Sequence, residues 1–121
     1  MTASLVDLLL ATAARAHDKA ALRRQHSTWT YSDLTRGAAA AAARLSEAGL
    51  EPGDRVGLLF RNGPEYVAFF YGALAAGGTL VPIDPKSPLD QVVRILRATG
   101  ATHLVSEADR RDLVSRALAA C

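Results

Sequence analysis

Val56-Gly57-Leu58-Leu59-Phe60 is a nearly unbroken apolar run that follows the turn Glu51-Pro52-Gly53-Asp54. An apolar run without alternation is the pattern of a strand covered on both faces, as in a parallel sheet flanked by helices. Asn62-Gly63 then punctuates the chain, and a helical stretch begins at Pro64 and ends at Gly77. Proline just inside a helix start and glycine just past its end is the expected asymmetry. The same unit returns with a period of about two dozen residues. Thr79 to Ile83 reads as a second buried strand, leading through Asp84-Pro85-Lys86-Ser87 to a helix from Pro88 to Thr99 that Gly100 stops. Thr102 to Val105 reads as a third strand, with a helix from about Glu107 onward. Strand, helix, strand in this order calls for right-handed crossovers. The expected fold class is therefore α/β: three layers, with a mostly parallel sheet and helices on both faces.

Upstream of the repeat the pattern changes. Ser4 followed by Asp7 resembles a capping box, and Leu5, Leu8, Leu9 and Thr12 recur at helical spacing through about Ala16. Ala20 to Arg24 and Ser27 to Tyr31 flank the polar Gln25-His26 and read as a small hairpin anchored by Trp29 and Tyr31. Thr30, with Asp33 three residues on, offers a second capping box ahead of the Ala-rich segment Ser32 to Ala48, which Gly49 ends. No linker composition interrupts the chain, so residues 1–121 are expected to form a single α/β segment.

The 121 residues are half hydrophobic with interspersed charges, and by surface scaling such a chain buries roughly two-thirds of its unfolded surface. A formal charge of +2, with the pairs Arg23-Arg24 and Arg110-Arg111 far apart, argues against a nucleic-acid partner. Cys121 is the only cysteine, which fits a reducing, cytoplasmic setting. The start lacks a basic segment before its apolar stretch, so a secretory signal is not expected. The uncharged run Tyr66 to Ile83 approaches the length of a membrane span, but Gly77, Gly78 and Pro82 divide it into helix and strand, and no transmembrane segment is expected.

Candidate chemistry is sparse. Gly72, Gly77, Gly78 and Thr79 have the glycine spacing of a phosphate loop, but Gly78 stands where the lysine belongs and the order is helix then strand, the reverse of a phosphate cradle. His17, His26 and His103 lie in three separate elements without Cys or carboxylate partners at ligand spacing, so no metal site is expected. Ser32, Ser87 and Ser106 lack a neighbouring base, and Ser106 is near His103 only in sequence. Asp84 and Lys86 follow the end of a strand, where open α/β sheets bind ligands. For these two, a turn-capping aspartate and a solvated lysine are the favoured roles.

Three segments carry a resemblance: Trp29-Thr30-Tyr31-Ser32-Asp33-Leu34, Gly53-Asp54-Arg55-Val56, and Leu74 through Gly77-Gly78-Thr79-Leu80-Val81-Pro82-Ile83-Asp84-Pro85. Together they resemble the first two core motifs of the adenylate-forming enzymes, which include acyl-CoA synthetases, amino-acid and aryl adenylation domains and luciferase-like enzymes. The resemblance runs from about Leu5 to Val105 and implies part of the large N-terminal lobe of such an enzyme. Asp84 to Pro88 and Gln91 to Leu96 look more like acyl-CoA ligases than peptide-synthetase modules.

In that family Thr30, Tyr31, Asp33, Leu34, Gly77, Gly78, Pro82, Asp84 and Pro85 would be scaffold, and the residues themselves read the same way: helix cap, turn and strand exit. The implied reaction is attack of a substrate carboxylate on the α-phosphate of ATP with Mg²⁺, giving an acyl-AMP, then capture on the thiol of CoA or a carrier's phosphopantetheine. A Ser/Thr/Gly-rich phosphate loop, a ribose-binding acid and a late lysine supply that chemistry in the family, and this sequence holds none of them. No catalytic, cofactor-binding or metal-binding residue is therefore assigned. The expected partner is the remainder of the ligase chain or a complementary subunit, with the chain inactive alone. Two other readings stay open: a small flavodoxin-like α/β binding or interaction module without catalysis, and a non-catalytic partner that docks on other ligase subunits through an exposed sheet edge or the apolar surface that the rest of the lobe would cover.

Overall fold

The computed structural model of the chain describes residues 5–24, 27–61, 63–107 and 111–120. The expectations placed on Ser4, Gln25, His26, Asn62, Arg110 and Cys121 lie outside them. Helix α1 (Leu5–Ala16) is followed by the hairpin β1 (Ala20–Arg24) and β2 (Ser27–Thr30), then by α2 (Tyr31–Glu47). The repeat follows as β3 (Arg55–Leu59), α3 (Pro64–Ala75), β4 (Thr79–Pro82), α4 (Leu89–Thr99), β5 (His103–Ser106) and α5 (Arg111–Ala120). One expected boundary is wrong: Glu107 does not begin the last helix but stands alone after β5, where its carboxylate is engaged elsewhere.

The three strands of the repeat form a parallel sheet in the order β4-β3-β5, with Val56 opposite both Leu80 and His103. Because side chains alternate along a strand, β3 feeds two cores at once. Val56 and Leu58, both fully buried, join Leu45, Leu50 and Ala73, with Phe69, Phe70, Leu80 and Val105 packed around them on the face covered by α2 and α3. Leu59 points the other way, into Ile83, Val92, Leu96 and Ala117 beneath α4 and α5. Helices thus cover both faces, as a strand apolar on every side demands.

The hairpin is antiparallel, pairs Leu22 with Trp29, and has a register irregularity between Ala20 and Leu22. It is tied to α2 through the backbone: Tyr31 N–H donates to Lys19 and Ser32 N–H to His17. Trp29 lies over Gly37 of α2, so close that a Cβ there would stand 3.0 Å from the indole ring.

Candidate functional site

In an open parallel sheet the ligand crevice lies beyond the carboxyl ends of the strands, where successive connections depart to opposite faces. Here β3 leads through α3 on one face to β4, and β4 leads through α4 on the other face to β5. The crevice is therefore between β3 and β5. Phe60 and Arg61 line it from the end of β3, Ser106 and Glu107 from the end of β5, and Gly63 and Glu65 from the start of α3. It opens into a groove of about 910 Å³ that continues along β5 past Phe69 to His103, Arg44 and Ala48.

Two side chains meet across the crevice. Arg61 donates its backbone N–H to Glu107 Oε1 at 2.7 Å, and its guanidinium Nε lies 3.3 Å from the same oxygen. The arginine side chain is 63% exposed and the carboxylate 28%, so the pair contributes little to stability. What it does is join two strand ends 46 residues apart in sequence. Neither residue stood out in the sequence as a candidate. Each follows a strand directly, a position that gains meaning only once β3 and β5 are known to be neighbours.

Asp84 and Lys86 lie elsewhere, beyond β4. Asp84 Oδ1 accepts the Lys86 N–H at 2.9 Å and its carbonyl accepts the Ser87 N–H at 3.0 Å. The aspartate folds the turn, and both side chains are exposed. His103 packs locally, with Nδ1 2.8 Å from the Thr102 hydroxyl and Nε2 3.0 Å from the Ala48 carbonyl at the end of α2. His17 pairs with the adjacent Asp18 at 3.2 Å on an exposed surface.

The motif residues occupy structural positions. The Thr30 hydroxyl accepts the Asp33 N–H at 3.1 Å, and Asp33 Oδ2 accepts the Thr30 N–H at 3.0 Å, a complete capping box at the start of α2. These bonds from Thr30, together with Arg36 at 2.6 Å, hold the Asp33 carboxyl below its ordinary pKa. Tyr31 opens the helix, and Leu34 is buried one turn in. Gly77 has φ +87°, which L-residues with side chains avoid, and a Cβ there would press on Pro52 at 3.1 Å. Gly78 lies against Ala73 and Val56. Pro82 ends β4, and Pro85 sits in the turn that Asp84 folds. Gly72, first of the phosphate-loop-like glycines, is buried inside α3 against α2 and faces no crevice.

Such an arrangement positions strand ends, and the cations lining the groove are Arg44 and Arg61, the latter paired with Glu107. Among the described residues no three His, Cys, Asp or Glu side chains could together hold a metal ion. Without such a cluster the described residues do not by themselves fit a bound Mg²⁺ ion. No helix among the described residues is long and apolar enough to cross a membrane.

An open parallel α/β sheet preceded by a hairpin and a capped Ala-rich helix defines the N-terminal part of an adenylate-forming fold. The chain belongs to the family of AMP-binding enzymes, whose family model matches residues 9–120. It is 38% identical to apicidin F synthase of Gibberella fujikuroi over 103 residues, which cover 84% of this chain and 2% of that protein. Identity to surfactin synthase subunit 1 of Bacillus subtilis is also 38%, over 79% of this chain and 3% of that protein. Among solved structures, a nonribosomal peptide synthetase, FmoA3, superposes with a TM-score of 0.85 at 37% identity, over 91% of this chain and 12% of its own. The N-terminal domain of FACL13 from Mycobacterium tuberculosis superposes with a TM-score of 0.88 at 26% identity, over 95% and 29%. The chain thus spans a small part of each relative. Whole-chain identity is higher to the peptide synthetase, 37%, than to FACL13, 26%, and so lends no support to the acyl-CoA ligase resemblance drawn from Asp84 to Leu96.

Proposed function

We propose that this chain is the N-terminal scaffold of an ATP-dependent carboxylic acid ligase that forms an acyl-AMP and passes the acyl group to a thiol, on CoA or on a carrier's phosphopantetheine. In this reading the rest of the ligase supplies ATP and Mg²⁺ binding and the acid pocket, and the chain alone is inactive. Thr30, Tyr31, Asp33, Leu34, Gly77, Gly78, Pro82, Asp84 and Pro85 act as scaffold, setting where the hairpin, α2 and the strand ends stand. One observation carries the reading: nearly the whole chain matches the family, and at the strand ends Arg61, a cation that lines the β3/β5 crevice, is paired with Glu107 across it.

Carboxylate-dependent ATP–pyrophosphate exchange tests it. The isolated chain should show no exchange above background. A chimera in which this chain replaces the matching segment of FmoA3 should exchange with FmoA3's own substrate preference. Exchange by the isolated chain would overturn the claim of inactivity, and a folded chimera without exchange would overturn the scaffold role.

A further inference from the structure

The pairing of β3 with β5 continues past its last registered residues. Main-chain groups along a strand point alternately to either side. Thr79 N–H donates to Asp54 and Ile83 N–H to Leu58, whereas Thr102 N–H donates to Arg55. Even-numbered residues of β3 therefore face β4, and odd-numbered ones face β5. The registered pairs end at Leu59 with Ser106, and the next residue in the row that faces β5 is Arg61. Its N–H donates to a side chain, Glu107 Oε1, at 2.7 Å. A carboxylate thus adds one rung to the ladder, across the crevice.

The residues beside the rung are themselves held. Phe60, just before Arg61, is buried, with its ring stacked on Phe69 at 5.7 Å and edge-on to Tyr66 at 6.5 Å. The Ser106 hydroxyl donates to the Glu107 carbonyl at 3.2 Å. Two residues past Arg61, Gly63 caps α3 with no side-chain hydrogen bond, so the rung carries the register of the sheet up to the entry of that helix. As an exposed pair it adds little to stability. It stands, however, at the switch point, where open sheets bind ligands, and there a displacement of about 1 Å can cost on the order of a hundredfold in rate. We infer that Glu107 is a positioning residue for the ligase: its carboxylate fixes the separation of the β3 and β5 ends and the entry into α3, and so sets one wall of the substrate site that the rest of the ligase completes. This role presupposes the scaffold function proposed above and adds to it a residue that acts on the site without touching the reacting atoms.

Steady-state ATP–pyrophosphate exchange by the FmoA3 chimera, with ATP and the carboxylic acid varied in turn, tests it. Glu107→Ala should raise the KM of one of the two substrates about tenfold with kcat held, the pattern of lost binding alone. The substrate whose KM rises is the one beside the crevice. Glu107→Gln keeps an oxygen for the Arg61 N–H and should bring KM back to within about twofold. A variant that merely lost folded protein would lower the apparent kcat and leave both KM values unchanged, and that result overturns the role. So does a Glu107→Gln chimera as impaired as Glu107→Ala. In the isolated chain the Arg61 amide hydrogen should exchange slowly, with protection lost in Glu107→Ala and kept in Glu107→Gln. An unprotected Arg61 amide in the unaltered chain overturns the rung itself. A folded parent chimera without ATP–pyrophosphate exchange overturns the scaffold function and this role with it, whereas unchanged KM values in an active chimera overturn the role alone.

Discussion

The two faces of the sheet are covered by helices held in opposite ways. On one face α2 and α3 meet through small residues: a Cβ on Gly72 would stand 2.6 Å from Ala41 Cβ, 2.8 Å from the Ala38 carbonyl and 3.0 Å from the Ala42 nitrogen. On the other face α4 and α5 reach the strands with Val92, Leu96, Leu113 and Val114. The helix–helix contact on the first face depends on the absence of atoms and the packing on the second on their presence, so the two should fail under opposite substitutions.

Adding atoms to the first face should do the most harm. Gly72→Val must push two helix backbones apart, and a cost of roughly 4 kcal/mol, at or beyond the upper end for overpacking, is expected in denaturant unfolding. Leu96→Ala on the second face should cost about 3 kcal/mol through lost apolar contact and a cavity. The contrast breaks if Gly72→Ala is harmless, since even one methyl meets backbone there. Gly77→Ala forces a left-handed conformation against Pro52 and should cost about 1–2 kcal/mol. Thr30→Ala removes one half of the capping box and should cost about 1 kcal/mol without altering the sheet.

Acid should sharpen the comparison further. The Asp33 carboxyl is held below its ordinary pKa in the folded chain by the Thr30 N–H first and by Arg36 after it. A depressed carboxylate contributes stability that is present above its unfolded pKa and lost as pH falls through the folded value. Asp33→Asn should remove that part of the acid dependence while leaving stability near neutral pH almost independent of pH. Unfolding midpoints of both proteins, followed from neutral pH down through the range below the ordinary aspartate value of about 3.9, measure it. Parallel acid limbs would refute the assignment.

Much of the fold was legible because it is written locally. The run from Val56, the stops at Gly77 and Gly100 and the Thr30–Asp33 box are each decided within a few residues, and each holds in the structure. The hairpin was legible too, although its irregularity between Ala20 and Leu22 carries no composition signal. The crevice was not legible. That β5 pairs with β3 rather than with β4 is a choice made across the sheet, and without it Asp84 and Lys86 stand out while Arg61 and Glu107 do not. Glu107 was drawn into the last helix because its partner is 46 residues away, at the end of β3. His103 reaches the Ala48 carbonyl across 55 residues, a contact no periodicity announces.

Pro82 ends β4 without an N–H to offer a further strand, and β5, on the far side of the sheet, is the last of its three described strands in chain order. A ribosome delivering this chain would release β3 first, then a neighbour that ends the sheet on one flank, then β5 on the other. β5 would find its place on the free side of a β3–β4 pair already made, so the three-stranded sheet could assemble during synthesis without ever having to reopen.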